Sequence, residues 1–229
     1  MADHTVKAFD EDITRLRGLI AEMGGLAEVA LGESIDALTR GDNVLADAII
    51  ARDKQIDALE AEIDKLAIRV IALRAPMADD LREVIAALKI AGVLERIGDY
   101  SKNIAKSAKK VVQRKRFEPL TLAPAMAEIA AAMVHDVMTA FAARDPDLAA
   151  DVIARDDKVD AFYDSIFRNL VSHMMENPAT ITSAAELLFV ARNIERIGDH
   201  ATNVAELVHY AATGHYLPER SESGEAGAA

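Results

Sequence analysis

The sequence predicts an all-α protein built from two tandem antiparallel three-helix bundles related by internal duplication. Three observations carry that prediction. Apolar residues make up 51% of the 229, enough for a sizeable core, while Gly (11) and Pro (6) are scarce and lie mostly between periodic stretches. The apolar positions recur at spacings of three, four and seven, as a helical bundle seam requires. The chain also repeats itself. Glu95-Arg96-Ile97-Gly98-Asp99 runs on to Asn103, and Glu195-Arg196-Ile197-Gly198-Asp199 runs on to Asn203, 100 residues later. Upstream, Ile49-Ile50-Ala51-Arg52-Asp53 leads to Asp57, and Val152-Ile153-Ala154-Arg155-Asp156 leads to Asp160, 103 residues later. Two linked phrases in the same order mark a duplicated unit of about 100 residues. The change of offset falls in the turns at Ala75-Pro76 and Asn177-Pro178.

Six long helices are expected. The first runs from Thr5 to Thr39 and stops near Gly41. The second has Asp42 as its N-cap and ends before Pro76; Ile49, Ile56, Leu59, Ile63, Leu66, Val70 and Leu73 form its seam. The third begins near Asp80, with Glu83 as a capping-box partner, and reaches about Gln113. The fourth spans Pro124 to Ala143. The fifth opens with Asp145-Pro146, an N-cap followed by proline at the first helical position, and ends at Asn177-Pro178. The sixth opens on a Ser183…Glu186 capping box and stops before Gly214. Short loops between long helices make neighbours antiparallel. Residues 1–116 form the first repeat and 117–217 the second. Residues 218–229, small, polar and glutamate-rich, form a disordered tail.

Composition removes several function classes. There is no Cys, so disulfides and thiolate metal sites are excluded. A net charge of −12 disfavours nucleic acid, where affinity comes from Lys and Arg neutralising phosphates, and suits cations instead. No stretch approaches the ~20 apolar residues of a membrane span, and the N-terminus lacks the basic-then-apolar pattern of a secretory signal. A cytoplasmic protein without an integral membrane segment is expected.

The repeated phrases carry the chemistry. Positions i, i+4 and i+8 stack roughly 6 Å apart along one helix face, so Glu95, Asp99 and Asn103 form a ladder of oxygens, and Glu195, Asp199 and Asn203 form another. The second helix of each repeat brings a further acid pair, Asp53 with Asp57 and Asp156 with Asp160. Four carboxylates facing one point repel unless a cation or protons intervene. Carboxylate-only ligation suits hard or borderline cations. The competing reading is an ordinary solvated acidic face. Against it stands a glycine inside each helix, at Gly98 and Gly198, which costs about 1 kcal/mol relative to alanine and points to close backbone approach or to space for a ligand. Arg52, Arg96, Arg155 and Arg196 recur beside the acids as candidate braces. His200 is a candidate accessory ligand, as are Asn103 and Asn203. Glu206-Leu-Val-His209 has the di-iron spacing only once, with Lys106 and Lys109 at the matching positions, and is read as chance. The basic run Lys102, Lys106, Lys109, Lys110, Arg114, Lys115 and Arg116 is read as solvated charge favouring a helix C-terminus.

The doubled Glu-Arg-Ile-Gly-Asp-x-x-x-Asn phrase, preceded each time by the Ala-Arg-Asp phrase, resembles the PhoU family of phosphate-signalling regulators over about residues 5–215. The resemblance implies an all-α, cytoplasmic homodimer that reaches the inner membrane through protein partners. It implies a negative regulator of the phosphate regulon and of phosphate uptake, an adaptor between the phosphate ABC transporter and a PhoR-type sensor histidine kinase. It implies no enzyme and no nucleic-acid partner. Several family members bind metal through the acidic motif, which points to Fe, Mn, Mg or Zn at Glu95 and Asp99 with Asp53 and Asp57, and at Glu195 and Asp199 with Asp156 and Asp160. The rival readings are a metal-dependent hydrolase, in which a carboxylate-held ion activates water, and a metal-free helical scaffold.

Overall fold

The structure, a computed structural model, describes residues 2–111 and 121–217. The expected helix end at Gln113, the boundary at 116/117, the basic residues 114–116 and the tail from residue 218 lie outside them. Among the described residues are seven α-helices: α1 (Ala2–Arg40), α2 (Asn43–Arg74), α3 (Ala78–Val111), α4 (Leu122–Ala143), α5 (Pro146–Ala154), α6 (Asp156–Glu176) and α7 (Ile181–Thr213). A 3-10 turn, Pro178–Thr180, leads into α7. Two expected caps are present. The Asp42 carboxylate accepts from the Val44 and Leu45 N–H groups at 2.9 Å, and Asp145 accepts from Asp147 and Leu148 at 3.0 Å.

The helix expected between Asp145 and Asn177 is two helices. At Arg155 (φ −86°, ψ −14°) the backbone tightens to i→i+3 bonding, Arg155 N–H to Val152 O and Lys158 N–H to Arg155 O, and α6 restarts at Asp156. Its first turn then carries Asp156 and Asp157 at the positive end of the helix dipole. The equivalent Arg52 lies in the uninterrupted α2.

In the first bundle α1, α2 and α3 pack mutually; in the second α4 and the α5–α6 pair pack on α7. Two antiparallel helix pairs then join the bundles, α3 with α7 and α1 with α4. The first direction follows from its contacts. Gly214, at the end of α7, lies beside Arg82 near the start of α3; Tyr100 meets His200; and Ser107 and Lys110 reach Glu186. In the second pair, Gly24 sits against Met138 while Glu28 reaches His135 Nδ1 at 3.3 Å, so His135 is an inter-bundle partner. The buried faces of α3 (Ile97, Ile104, Ala105, Ala108) and α7 (Ile197, Ala201, Val204, Ala205) run continuously through one core.

The capping-box expectations fail in an informative way. α3 starts at Ala78 and α7 at Ile181, before Asp80 and Ser183, so Glu83 and Glu186 are interior to their helices. Both tie elements of the two bundles together instead. Glu83, buried, accepts from Arg17 Nε of α1 at 2.5 Å and from Arg144 at the end of α4. Glu186 accepts from Ser107 (3.3 Å) and Lys110 (3.1 Å) of α3.

The expectation of no membrane-length apolar stretch also needs correction. Alanine carries α4 over the threshold of length and composition for a span, alone among the described helices. Its Ala123, Met126, Ala130, Met133, Val134, Val137 and Ala140 are nevertheless buried in the bundle core.

Arg144 caps α4 in the left-handed region (φ 54°), where the first repeat has Gly41 (φ 70°). A side chain there costs about 1–2 kcal/mol, and what it supplies is the guanidinium on Glu83. Removing the acid in Glu83→Ala is expected to cost about 1.5–3 kcal/mol in urea unfolding, the range for hydrogen bonds to charged groups. Arg144→Gly is expected to cost clearly less, because relief of the left-handed strain offsets the lost bond.

Candidate metal centre

Each acid ladder lies where the third helix of its repeat faces the second. The two glycines explain the approach. A Cβ on Gly98 would stand 2.7 Å from Ile56 Cδ1, and one on Gly198 would stand 3.3 Å from both Val159 Cγ1 and Asp156 Oδ1. Ile56 and Val159 occupy equivalent places in the repeats, so the glycines serve close packing of α3 on α2 and of α7 on α6.

The recurring arginines divide into two pairs. Arg52 binds Glu33 of α1, and Arg155 Nη1 binds Asp136 Oδ2 of α4 at 2.5 Å. These ion pairs are equivalent and tie the second element of each bundle to its first. Arg96 and Arg196 act across the seam between repeats. Arg196 lies 5.6 Å above the Tyr100 ring, and Arg96 is near enough to help lower the pKa of His200. Tyr100 and His200 hold the same place in their repeats and stack with ring centroids 5.4 Å apart, marking where the pseudo-twofold axis crosses. His200 Nε2 lies 3.3 Å from the Tyr100 hydroxyl and Nδ1 lies 3.2 Å from Asn203 Nδ2. Burial, then Arg96 and Arg196, push its pKa down, with Asp199 opposing. His200 and Asn203 thus engage each other and Tyr100 at the seam. Asn103 is half-buried on α3.

The two ladders differ in their charge partners. In the second repeat, Asp156, Asp160 and Asp199 each bring a carboxylate oxygen within 4.8 Å of the others, a spacing that could hold a metal ion; among the described residues no other such group occurs. Glu195, one turn before Asp199, is buried. Its Oε1 accepts from Arg192 Nη1 at 2.6 Å, and its Oε2 accepts no hydrogen bond. Burial, Asp199 and Asp160 raise its pKa to about 7 against the pull of Arg192 and Arg196.

In the first repeat, Lys102 of α3 inserts its ammonium between Asp53 Oδ2 of α2 (2.5 Å) and the Asp99 carboxylate. Burial pulls the lysine pKa down, but these hydrogen bonds and charges more than reverse it, leaving it above the ordinary lysine range. Glu95 has its pKa raised to about 7 by burial, by Asp99 through charge and a hydrogen bond, and by Glu60 and Asp57. Glu60, itself raised by burial, Asp64 and Asp57, joins the ladder though it matches no repeat phrase; Tyr163 stands at its place in the second repeat. The signal for Lys102 is present in the aligned phrases, which read Asp-Tyr-Ser-Lys-Asn and Asp-His-Ala-Thr-Asn.

A profile of the PhoU domain matches residues 20–108 and again 124–208. The chain belongs to the PhoU family. It is 51% identical over 218 residues to the phosphate-specific transport system accessory protein PhoU homolog of Zymomonas mobilis, covering 95% of this chain and 92% of that protein. The Escherichia coli phosphate-specific transport system accessory protein PhoU is 36% identical over 211 residues, covering 92% of this chain and 88% of that protein. The fold matches the crystal structure of PhoU from Pseudomonas aeruginosa with a TM-score of 0.88 at 35% identity, covering 90% of this chain and all of that one.

Glu195 supplies a pH signature. Its pKa in the folded protein stands above the ordinary 4.5, so the metal-free fold holds the extra proton between these values. Stability from this group is therefore lost as pH rises from the unfolded value through about 7. In chelator, Glu195→Gln is expected to match the parent near about pH 5 and to exceed it near about pH 8 in urea midpoint. Equal pH slopes for the two proteins would count against a buried, repelled carboxylate.

Proposed function

We propose that this chain is an accessory protein of a phosphate-specific transport system that restrains phosphate uptake and the phosphate-starvation response when phosphate is plentiful. The observation carrying this reading is the paired PhoU domain across both halves, with relatives bearing that name at 51% and 36% identity over nearly the full length. On this reading the protein works by contact, as a cytoplasmic homodimer linking the transporter to a PhoR-type sensor kinase. The long paired bundles suit such a role, since helices of 32 to 34 residues present faces of about 50 Å along which a partner can lie.

We also propose that the acid centre of the second repeat is a metal site. The donor set fits: Asp156, Asp160 and Asp199 offer only carboxylate oxygens, suited to Mn, Mg, Fe or Zn, and the buried Glu195 Oε2 lies one turn away on the same helix as Asp199. Asp156 and Asp160 come from α6 and Asp199 from α7, so a bound ion would clamp those helices as an ion pair does. The regulatory and metal readings are tested together by deleting the gene and restoring it. Deletion is expected to derepress a phosphate-starvation reporter in high phosphate by roughly tenfold or more. The parent gene restores repression, and an Asp156→Asn/Asp160→Asn/Asp199→Asn version restores less of it. A deletion strain with unchanged reporter and unchanged phosphate uptake would overturn the regulatory role.

A further inference from the structure

The α2–α3 pair turns one face to solvent, and that face changes character along its length. Its register is set where Ile56 lies against Gly98 and Glu60 against Gly92. Outward from there α2 presents Glu60, Asp64 and Ile68, one turn apart, and α3 presents Gly92, Leu88 and Leu81 at spacings of four and seven. The half nearer the middle of the molecule is acidic. Burial, then Asp64 and Asp57, raise the pKa of Glu60, and Arg96 opposes them as the weakest influence, so the acids there are short of cations. The half nearer the α2–α3 turn is apolar. Ile68 is 63% exposed and Leu81 37%, with Leu88 half-buried at their level.

The second repeat covers the equivalent face with its own side chains. Tyr163 stands at the place of Glu60 and Arg192 at that of Gly92. The Arg192 guanidinium lies 5.6 Å above the Tyr163 ring and donates to Glu195. In the first repeat Gly92 leaves this place open: a Cβ there would meet Glu60 Oε1 at 3.5 Å, an ordinary contact.

We propose that the outer face of the α2–α3 pair is the docking site for a helical segment of a partner protein, apolar at one end and carrying lysine or arginine at the other. The proposal builds on the reading that this protein works by contact. Charge complementarity selects the occupant, because only a cationic end can lie on Glu60 and Asp64 while an apolar end covers Ile68 and Leu81. The face runs from Asp57 to Ile71 along α2, roughly 20 Å, which suits a partner helix of about four turns. In the second repeat Arg192 occupies the place that the cationic end would take, so the site belongs to the first repeat.

The test is the binding of a fluorescein-labelled helical peptide of about 18 residues to the full chain in chelator, read by fluorescence anisotropy. The peptide carries leucines on one face of one half and lysines on the same face of the other. The parent is expected to bind it at a single site with a micromolar Kd. Glu60→Gln/Asp64→Asn is expected to weaken binding about fivefold, and Ile68→Ser/Leu81→Ser about tenfold. Gly92→Arg, which puts the second repeat's guanidinium beside the acids, is expected to weaken it about fivefold as well. A peptide with serines for leucines is expected to bind about tenfold less tightly to the parent. No binding by the parent would overturn the proposal. Undiminished binding in either double variant would overturn it too, as would equal binding of the leucine-free peptide, which would mean general attraction to a chain of net charge −12. A parental dimer that dissociates in Ile68→Ser/Leu81→Ser would mean that a second copy covers this face, and would also overturn it. Should a double variant lose its helicity, Gly92→Arg and the leucine-free peptide still decide. Peptide binding and the reporter in the deletion strain are separate readouts, so this site can fail while the regulatory reading stands.

Discussion

The antiparallel packing of α3 on α7 is the constraint on which the rest depends. These are the third helices of their repeats, so each is already committed to two neighbours in its own bundle. Joining them merges two small cores into one continuous apolar interior, which lifts the surface-to-volume penalty a lone unit of about 100 residues would bear. The same joint places the repeated phrases beside each other at mid-molecule. Tyr100 meets His200 on the pseudo-twofold axis, and the acids at 95, 99, 195 and 199 follow within about a turn on either side. Arg96 and Arg196 cross this seam, so the two ladders share an electrostatic environment although each is completed by a helix of its own bundle.

Ion pairs at the ends of the seam hold its register. Glu83 with Arg17 and Arg144 sits at one end, and Glu186 with Ser107 and Lys110 at the other. Hydrophobic ridges alone tolerate sliding by a turn, because alanines, isoleucines and valines repeat along both helices. A buried carboxylate shared by a guanidinium from each bundle does not, since a slip would strip Glu83 of Arg144 and leave it with Arg17 alone. The left-handed Arg144 belongs to this arrangement: Gly41 makes the same turn without strain, but it offers no side chain to Glu83.

Much of the architecture is legible in the sequence because it rests on local rules. The duplication, the helix count apart from the break at Arg155, the Asp42 and Asp145 caps and the glycines as close-approach points follow from periodicity, cap chemistry and repetition. What stays hidden is non-local. Glu83 and Glu186 look like capping-box partners because their spacing from Asp80 and Ser183 is right, yet helices started earlier by Met77 and by the 3-10 turn leave them free for the other bundle. His200 reads as a ligand by adjacency to Asp199, but adjacent residues on a helix point about 100° apart, and that rotation turns it toward Tyr100. Membrane-length apolarity in α4 escapes a residue-by-residue reading because alanine is only weakly hydrophobic and becomes conspicuous over the whole helix.

The acid centres show a different limit. Reading a repeat draws attention to what the copies share: the acids, the arginines and the glycines. The charge at a centre is set equally by what they do not share. Lys102 against Thr202 changes the local balance by a full charge at hydrogen-bond distance, where the electrostatic consequence is largest. Glu60 against Tyr163 shifts it again in the opposite sense, adding to the burial and the Asp99 charge that chiefly raise the pKa of Glu95. The electrostatics of a duplicated carboxylate ladder are therefore set by its unmatched neighbours as much as by the acids the copies share, because a single substitution at hydrogen-bond distance changes the local charge by a full unit.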